Sequence, residues 1–373
     1  SQGVRVPKLR FPGFEGEWEE KSLSDVATGF DYGMNAAAGA FDGLNKYIRI
    51  TDIDEESRCY IDENPVSPKG ELDDKYLVRE NDILFARTGA STGKTYLYKK
   101  SDGKLYFAGF LIRISVNCDN NSNFVYNATL TDRYNRWVRL TSMRSGQPGI
   151  NSQEYSSYET YYPLLPEQNK ITSFLKKLDQ RIEKQRQLVE ALKSYKRGLL
   201  HQVFSNIDCT VPLYKISDYF SSSNTMAMIE CCGEGKYPVY DAGGIIANIA
   251  TYDFDNPYIA IIKDGSGVGR LQLCSGQSSI IGTLGALLPI NCTVDYLYAA
   301  LQTVDFRQFT TGMAIPHIYY KDYKNIAIPY PNEVTQRSIE NLAKNFDEIL
   351  LRENSLLLHL QQQKTALLQQ LFI

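Results

Sequence analysis

A chain of 373 residues, 43% hydrophobic and 22% charged, is long enough for two or three domains with real cores. It has no run of eighteen apolar residues, which argues against a transmembrane helix, and its net charge of −3 excludes a grip on nucleic acid by bulk positive charge. The stretch Ser1–Phe14 lacks the apolar block of a signal peptide, and the seven cysteines are scattered apart from Cys231-Cys232, so a cytoplasmic protein with reduced thiols and no metal centre is expected.

In chain order, residues 1–166 read as a first mixed α/β module. It has strand candidates at Tyr47–Ile53, Ile83–Ala86 and Phe110–Val116 and an amphipathic helix over Val125–Val138. Residues 167–204 read as one long helix with apolar residues at Ile171, Leu175, Leu178, Ile182, Val189, Leu192, Leu199 and Val203. This heptad-like stripe is interrupted by Gln185 and Lys196 and preceded by Pro163 and Pro166. Residues 205–332 form a second module with strands at Tyr258–Ile262 and Ala286–Ile290 and a helix over Val294–Phe309. Residues 333–373 form a second long helix with its stripe at Ile339, Leu342, Phe346, Ile349, Leu356, Leu360, Leu367 and Leu371. The four segments carry −3, +5, −4 and −1 in turn, so the central helix alone is strongly basic.

The two halves repeat. Gln168–Phe204 aligns without a gap on Gln336–Phe372 at an offset of 168, with eleven identical pairs that include Gln168/Gln336, Ile171/Ile339, Asp179/Asp347, Lys196/Lys364, Leu200/Leu368 and Phe204/Phe372. Upstream, Arg87-Thr-Gly-Ala-Ser-Thr-Gly-Lys94 matches Lys263-Asp-Gly-Ser-Gly-Val-Gly-Arg270 at 176, and Leu23-Ser-Asp25 matches Ile216-Ser-Asp218 at 193. The modules therefore differ by 25 residues while the helices do not differ in length. Helices that keep their length between heads that vary suggest a spacer carrying replaceable heads. An intermolecular coiled coil is the alternative; the duplication favours an antiparallel pair within one chain. The fold class expected is α+β, with two mixed α/β modules joined by two long antiparallel helices.

Motifs with a catalytic look do not hold together. Gly89-Ala-Ser-Thr-Gly-Lys94-Thr95 is one residue short of a P-loop, and its counterpart loses the Lys-Thr, so both copies are better read as glycine turns between strands. Asp255-Asn-Pro-Tyr258 lacks one proline of the adenine-methyltransferase loop, and Asp218 with Glu234-Gly-Lys236 is too loose for a nuclease. The three histidines, 201, 317 and 359, are dispersed, and no nucleophile–base pair emerges. Features that suggest DNA lie elsewhere. Arg133, Arg136, Arg139 and Arg144 fall in a stretch without acidic residues between Asp132 and Glu154, interleaved with Tyr134 and Trp137. A solvated helix face is the alternative reading of these arginines. The matching stretch of the second module has only Arg307. Arg87 with Lys94, and Lys263 with Arg270, bracket the two glycine turns in a layout that suits phosphate contact.

Taken together, Pro7-Lys-Leu-Arg-Phe-Pro-Gly-Phe14, Trp18, Leu23-Ser-Asp-Val26, Asp82-Ile-Leu-Phe-Ala-Arg-Thr-Gly89, Pro163-Leu-Leu-Pro-Glu-Gln168, Leu178-Asp179, Lys196-Arg-Gly-Leu-Leu200 and the closing Leu371-Phe372 resemble the specificity subunit of type I restriction–modification systems across essentially the whole chain. The resemblance implies two target-recognition domains in pseudo-twofold arrangement, each reading one half of a bipartite, asymmetric site on double-stranded DNA. It implies helices that set the unread gap, and two methyltransferase subunits and two motor–nuclease subunits as partners. It also implies no active site and no cofactor on this chain, with S-adenosylmethionine, ATP and magnesium held by the partners. A scaffold coiled coil without DNA affinity and a self-contained modifying enzyme are the competing classes; the missing cofactor and catalytic motifs disfavour the second.

Overall fold

The computed structural model describes residues 5–143, 147–225, 228–229, 235–265, 267–312 and 315–373. Arg144, Cys231, Cys232 and Glu234 lie outside the described residues. Two helices dominate: a central one over Leu165–Ser205 and a C-terminal one over Glu333–Leu371, about 60 Å each at 1.5 Å per residue. Pro166 sits in the first turn of the central helix, where a missing N–H costs nothing.

The chain divides into two compact units, and the division runs through both helices. The first unit holds residues 1–184 and 357–373, the second 185–356. Each unit therefore contains one module, the part of one long helix that follows or precedes it, and a piece of the other.

In the first unit a four-stranded antiparallel sheet is formed by β1 (Ala27–Tyr32), β2 (Asp82–Ala86), β3 (Thr95–Leu97) and β4 (Leu111–Val116), in the order β1-β4-β2-β3. Strand β2 is buried along its whole length. One face of the sheet packs on α1 (Ser122–Ala128) and α2 (Asp132–Thr141) through Phe124, Val125 and Tyr134. The single helix expected over Val125–Val138 is thus two. Thr129 Oγ1 donates back to the Tyr126 carbonyl, and the Thr131 hydroxyl accepts from the Tyr134 N–H, so one helix ends and the next is capped within three residues. The expected strand Tyr47–Ile53 is likewise shorter, Asn45–Ile48 followed by a 3₁₀ turn at Ile50–Asp52 whose Arg49 and Asp52 bond each other.

The second unit repeats this frame. Strands β5 (Ser217–Ser221), β6 (Tyr258–Ile262), β7 (Leu271–Cys274) and β8 (Leu284–Pro289) pair antiparallel in the equivalent order β5-β8-β6-β7, against α3 (Val294–Leu301). Outside the shared sheets the modules diverge. The first adds the pairs Ala38–Ala40 with Val66–Pro68 and Asn45–Ile48 with Lys104–Phe107; the second adds a three-stranded sheet of Tyr237–Asp241, Gly244–Ile249 and Ser279–Ile280.

Identities in the repeat have a packing cause. Ile171 and Leu175, from the start of the central helix, enter the core of the first unit together with Leu368, Leu371 and Phe372 from the end of the C-terminal helix. In the second unit the roles exchange: Leu200 and Phe204 from the end of the central helix join Ile339 and Ala343 from the start of the C-terminal helix. Phe372 packs on Phe124 at 4.8 Å between ring centroids, and Phe204 on Tyr296 at 6.1 Å. Gln168 and Gln336 each donate to the carbonyl of a proline five residues back, Pro163 and Pro331, both at 2.9 Å.

Polar breaks in the stripe also have partners. Asp179 pairs with Lys364 at 2.6 Å in the first unit, and its repeat equivalent Asp347 pairs with Lys196 at 2.6 Å in the second. Both pairs join one copy of the repeat to the other. Gln185 donates to the carbonyl (3.0 Å) and carboxylate (2.6 Å) of Glu353, its own repeat equivalent. The apolar reading of the second helix is corrected at two places: Ile349 and Leu356 are exposed, while Phe346, Leu350 and Leu357 are half-buried and Leu360 buried. The buried line follows the repeat equivalents of Leu178, Ile182, Val189 and Leu192 rather than the most apolar choice.

Both tryptophans, Trp18 and Trp137, belong to the first unit, so their fluorescence reports on it. Leu371→Ala, removing a side chain only 1% exposed, is expected to lower the tryptophan-detected unfolding free energy in urea by about 2–5 kcal/mol. An unchanged midpoint would show that the end of the C-terminal helix is not part of that core.

Candidate DNA interface

One end of each four-stranded sheet carries the same construction, bond for bond. In the first unit the turn from β2 to β3 is closed by Thr92 N–H to the Gly89 carbonyl (3.1 Å), Gly93 N–H to Ala86 (2.9 Å) and Lys94 N–H to Ser91 (2.9 Å). In the second, Val268 bonds Gly265 (3.1 Å), Gly269 bonds Ile262 (2.9 Å) and Arg270 bonds Gly267 (3.1 Å). A third segment is pinned alongside each turn: Gly89 N–H donates to Pro148 and Ile150 N–H to Arg87, as Gly265 does to Pro316 and Ile318 to Lys263. Gly93 and Gly269 have φ of +89° and +84°, and a Cβ at either would lie 2.5 Å from Val138 or 2.8 Å from Phe306. Glycine is therefore required twice over, for the left-handed backbone and for the approach of a side chain from the helical layer. It is the protein's own side chain, not a phosphate, that fills the space.

The nine candidate cations fare differently on this frame. Arg136 and Arg139 are exposed on α2, with no ion pair among the described residues, because Tyr134 and Trp137 turn inward and stack at 5.9 Å. Arg133 shares that helix but lies 3.6 Å from Glu20 and over the ring of Tyr161. Arg87, half-buried, lies over the Tyr32 ring at 4.8 Å and reaches the Gly109 carbonyl. Its equivalent Lys263 donates to the Ser221 hydroxyl at 2.8 Å, and Arg270 donates to the Ala242 carbonyl at 3.0 Å. Two members are held by carboxylates. Lys94 is buried, its ammonium donating to the Ile53 carbonyl at 3.0 Å and to the Glu55 carboxylate, so it braces an internal loop instead of facing a phosphate. Arg307 is exposed and forks onto the Asp305 carboxylate at 2.8 and 3.2 Å, which holds its pKa above the usual value. Arg144 lies outside the described residues.

The sequence matches the family described as type I restriction modification DNA specificity domain twice, over residues 15–193 and 212–360. The chain belongs to this family. Among curated relatives, the type I restriction enzyme MjaVIII specificity subunit of Methanocaldococcus jannaschii is 29% identical over 119 residues, 31% of this chain and 28% of that protein. The match therefore spans less than a third of that relative. Among solved structures, the S subunit of the type I restriction–modification system from M. genitalium superposes with a TM-score of 0.57 at 18% identity over 99% of both chains. A chain from a study of complex assembly and conformational transition of the type I R-M system gives 0.55 at 17% identity, covering 96% of this chain and 97% of the other. Both likenesses show the fold. Among the described residues no helix is long and apolar enough to cross a membrane.

For a DNA-specificity family, the sheet end bearing Arg87 and Lys263 is the natural candidate surface, since it is built identically in both modules and surrounded by side chains that differ. Sequence reading missed the neutral part of it. In the first module Tyr32, Phe110, Leu140 and Met143 are exposed around Arg87 and the end of α2. In the second, Ile315 and Tyr319 are exposed on either side of His317. The usable signal was the repeat itself: carrying the offset of 168 through Pro148 and Pro316 sets Gly149 opposite His317 and marks the segments beside the two glycine turns as equivalents. Asp255-Asn-Pro-Tyr258, set aside as a methyltransferase loop, runs into β6, where Tyr258 is buried and its hydroxyl lies 3.0 Å from that of Ser278.

If α2 meets DNA, Arg136→Ala combined with Arg139→Ala is expected to weaken DNA binding and to flatten the slope of log K against log salt by about one to two. Lys94→Ala is expected to lower the melting temperature while leaving slope and affinity unchanged. The reverse pattern in a gel-shift salt series would exchange their roles.

Proposed function

We propose that this chain is a DNA sequence-specificity subunit in which each module reads one half of a bipartite, asymmetric double-stranded site. The two long helices set the gap that is not read, and they dock two methyltransferase subunits; two motor–nuclease subunits complete a restriction assembly. The chain itself catalyses nothing. S-adenosylmethionine, ATP and magnesium belong to the partners, which also contribute to the grip on DNA that a chain of net charge −3 lacks.

The observation that carries the reading is the exchanged pair of ion pairs, Asp179–Lys364 and Lys196–Asp347, at repeat-equivalent positions. It supports a ruler whose register does not depend on either head. A shared hydrogen-bonded frame with different cations around it supports heads that read different sequences: free arginines on α2 in the first module, one carboxylate-paired arginine in the second. Base edges in the major groove are the expected targets, with half-sites about one helical turn, roughly 34 Å, apart. A helix of about 60 Å is long enough to span that distance.

The test lengthens the ruler without touching the heads. Four residues inserted after Leu188 and four after its repeat equivalent Leu356 add about 6 Å, or about two base pairs at 3.4 Å per pair. Methylome sequencing of cells carrying this subunit and its methyltransferase is expected to show unchanged half-sites separated by a longer gap. Changed half-sites with the original gap would contradict the proposal.

A further inference from the structure

The loop beside the second glycine turn is built around one imidazole. Thr311 and His317 close it in both directions, Thr311 N–H to the His317 carbonyl at 2.8 Å and His317 N–H to the Thr311 carbonyl at 2.9 Å, and the Thr311 hydroxyl adds a third bond at 3.3 Å. The ring is held as well as the backbone. Its Nδ1 lies 3.2 Å from the Ile315 carbonyl, and the ring packs T-shaped against Tyr319 with centroids 5.0 Å apart. Gly312, at φ +90°, leaves the space the ring occupies: a Cβ there would stand 3.0–3.1 Å from the imidazole atoms.

This arrangement selects one chemistry for the other nitrogen. A carbonyl only accepts, so Nδ1 is the nitrogen that carries the proton in the neutral ring, and Nε2 is left as an acceptor. No partner for Nε2 occurs among the described residues. A bare acceptor cannot bond a phosphate oxygen, which also only accepts. It can bond an exocyclic amine, and in the major groove those are N6 of adenine and N4 of cytosine.

The position matters as much as the chemistry. His317 stands where the first module has Gly149: the flanking Ile150 and Ile318 make the same bond to Arg87 and Lys263, and the preceding Pro148 and Pro316 the same bond to Gly89 and Gly265. One frame thus carries no side chain in the first module and a clamped imidazole in the second. The second module also lacks an unpaired arginine equivalent to those of α2, since Arg307 is spent on Asp305.

We infer that His317 is a specificity-determining residue of the second module, offering Nε2 as the acceptor for an adenine or cytosine amine at one base pair of the half-site that module reads. This rests on the half-site reading proposed above.

The test uses the complete subunit in its methyltransferase complex and compares wild type, His317→Phe and His317→Gln by methylome sequencing and by methylation of oligonucleotides varied at single positions. Phenylalanine fills the same cradle without a nitrogen; glutamine restores an acceptor. His317→Phe is expected to lose about tenfold or more of the preference at one base pair of one half-site, with the other half-site unchanged as an internal control for folding. His317→Gln is expected to retain a preference at that pair. If His317→Phe keeps every base preference, or weakens all sequences equally, the imidazole is a structural brace and the inference falls while half-site reading stands. If the wild-type complex shows no bipartite motif, the half-site reading fails and the inference with it.

Discussion

Asp179 and Lys196 sit on the same helix, too far apart to meet, and each finds its partner on the other copy of the repeat. That exchange ties the two halves together. Its energy is modest. Asp179 and Asp347 are about half exposed, and pairs of this kind are worth on the order of 1 kcal/mol. Apolar burial along the seam supplies far more. What the ion pairs supply is choice: a stripe of Leu and Ile tolerates sliding and parallel pairing, whereas two charged pairs and the Gln185–Glu353 contact are satisfied in one antiparallel register.

The same logic explains why the helices are alike while the modules are not. Each helix begins in the core of one unit and ends in the core of the other, so Ile171, Leu200, Phe204 and their equivalents answer to two sets of neighbours. An insertion in one helix alone would put its side chains out of step with the other helix and pull them off one core, whereas matched insertions in both keep each set with its own core. Between β1 and β2, and between β5 and β6, lie strands of the small outer sheets, and there the modules differ most. Variation is confined to where packing permits it. The candidate surface is carried on a frame that both modules share.

Much of this was legible as pattern. The long helices, the repeat, the glycine turns and strands β2, β4, β6 and β8 follow from a heptad-like stripe, from short apolar runs bounded by turn residues and from residues with strong local preferences, all of which act over a few positions. The fate of individual cations was not. Lys94 follows a glycine turn just as Arg270 does, but Ile53 and Glu55, some forty residues earlier, draw it into the interior. Arg133 and Arg136 are three residues apart on one helix, and Glu20 takes the first while nothing described takes the second. Arg307 is the exception, since its partner Asp305 is two residues away and open to a closer reading.

Sequence alone determined the duplicated plan: head, helix, head, helix, with helices of one length and heads of two, and through its motifs the family. Those properties are encoded locally, in spacing and identity, and survive without knowledge of what touches what. Tertiary structure decided which charges stay free, which polar residues set the register, and that a histidine of no evident role is clamped at the position where the first module has glycine. Burial and hydrogen bonding depend on neighbours brought in from far along the chain, and no local pattern specifies them.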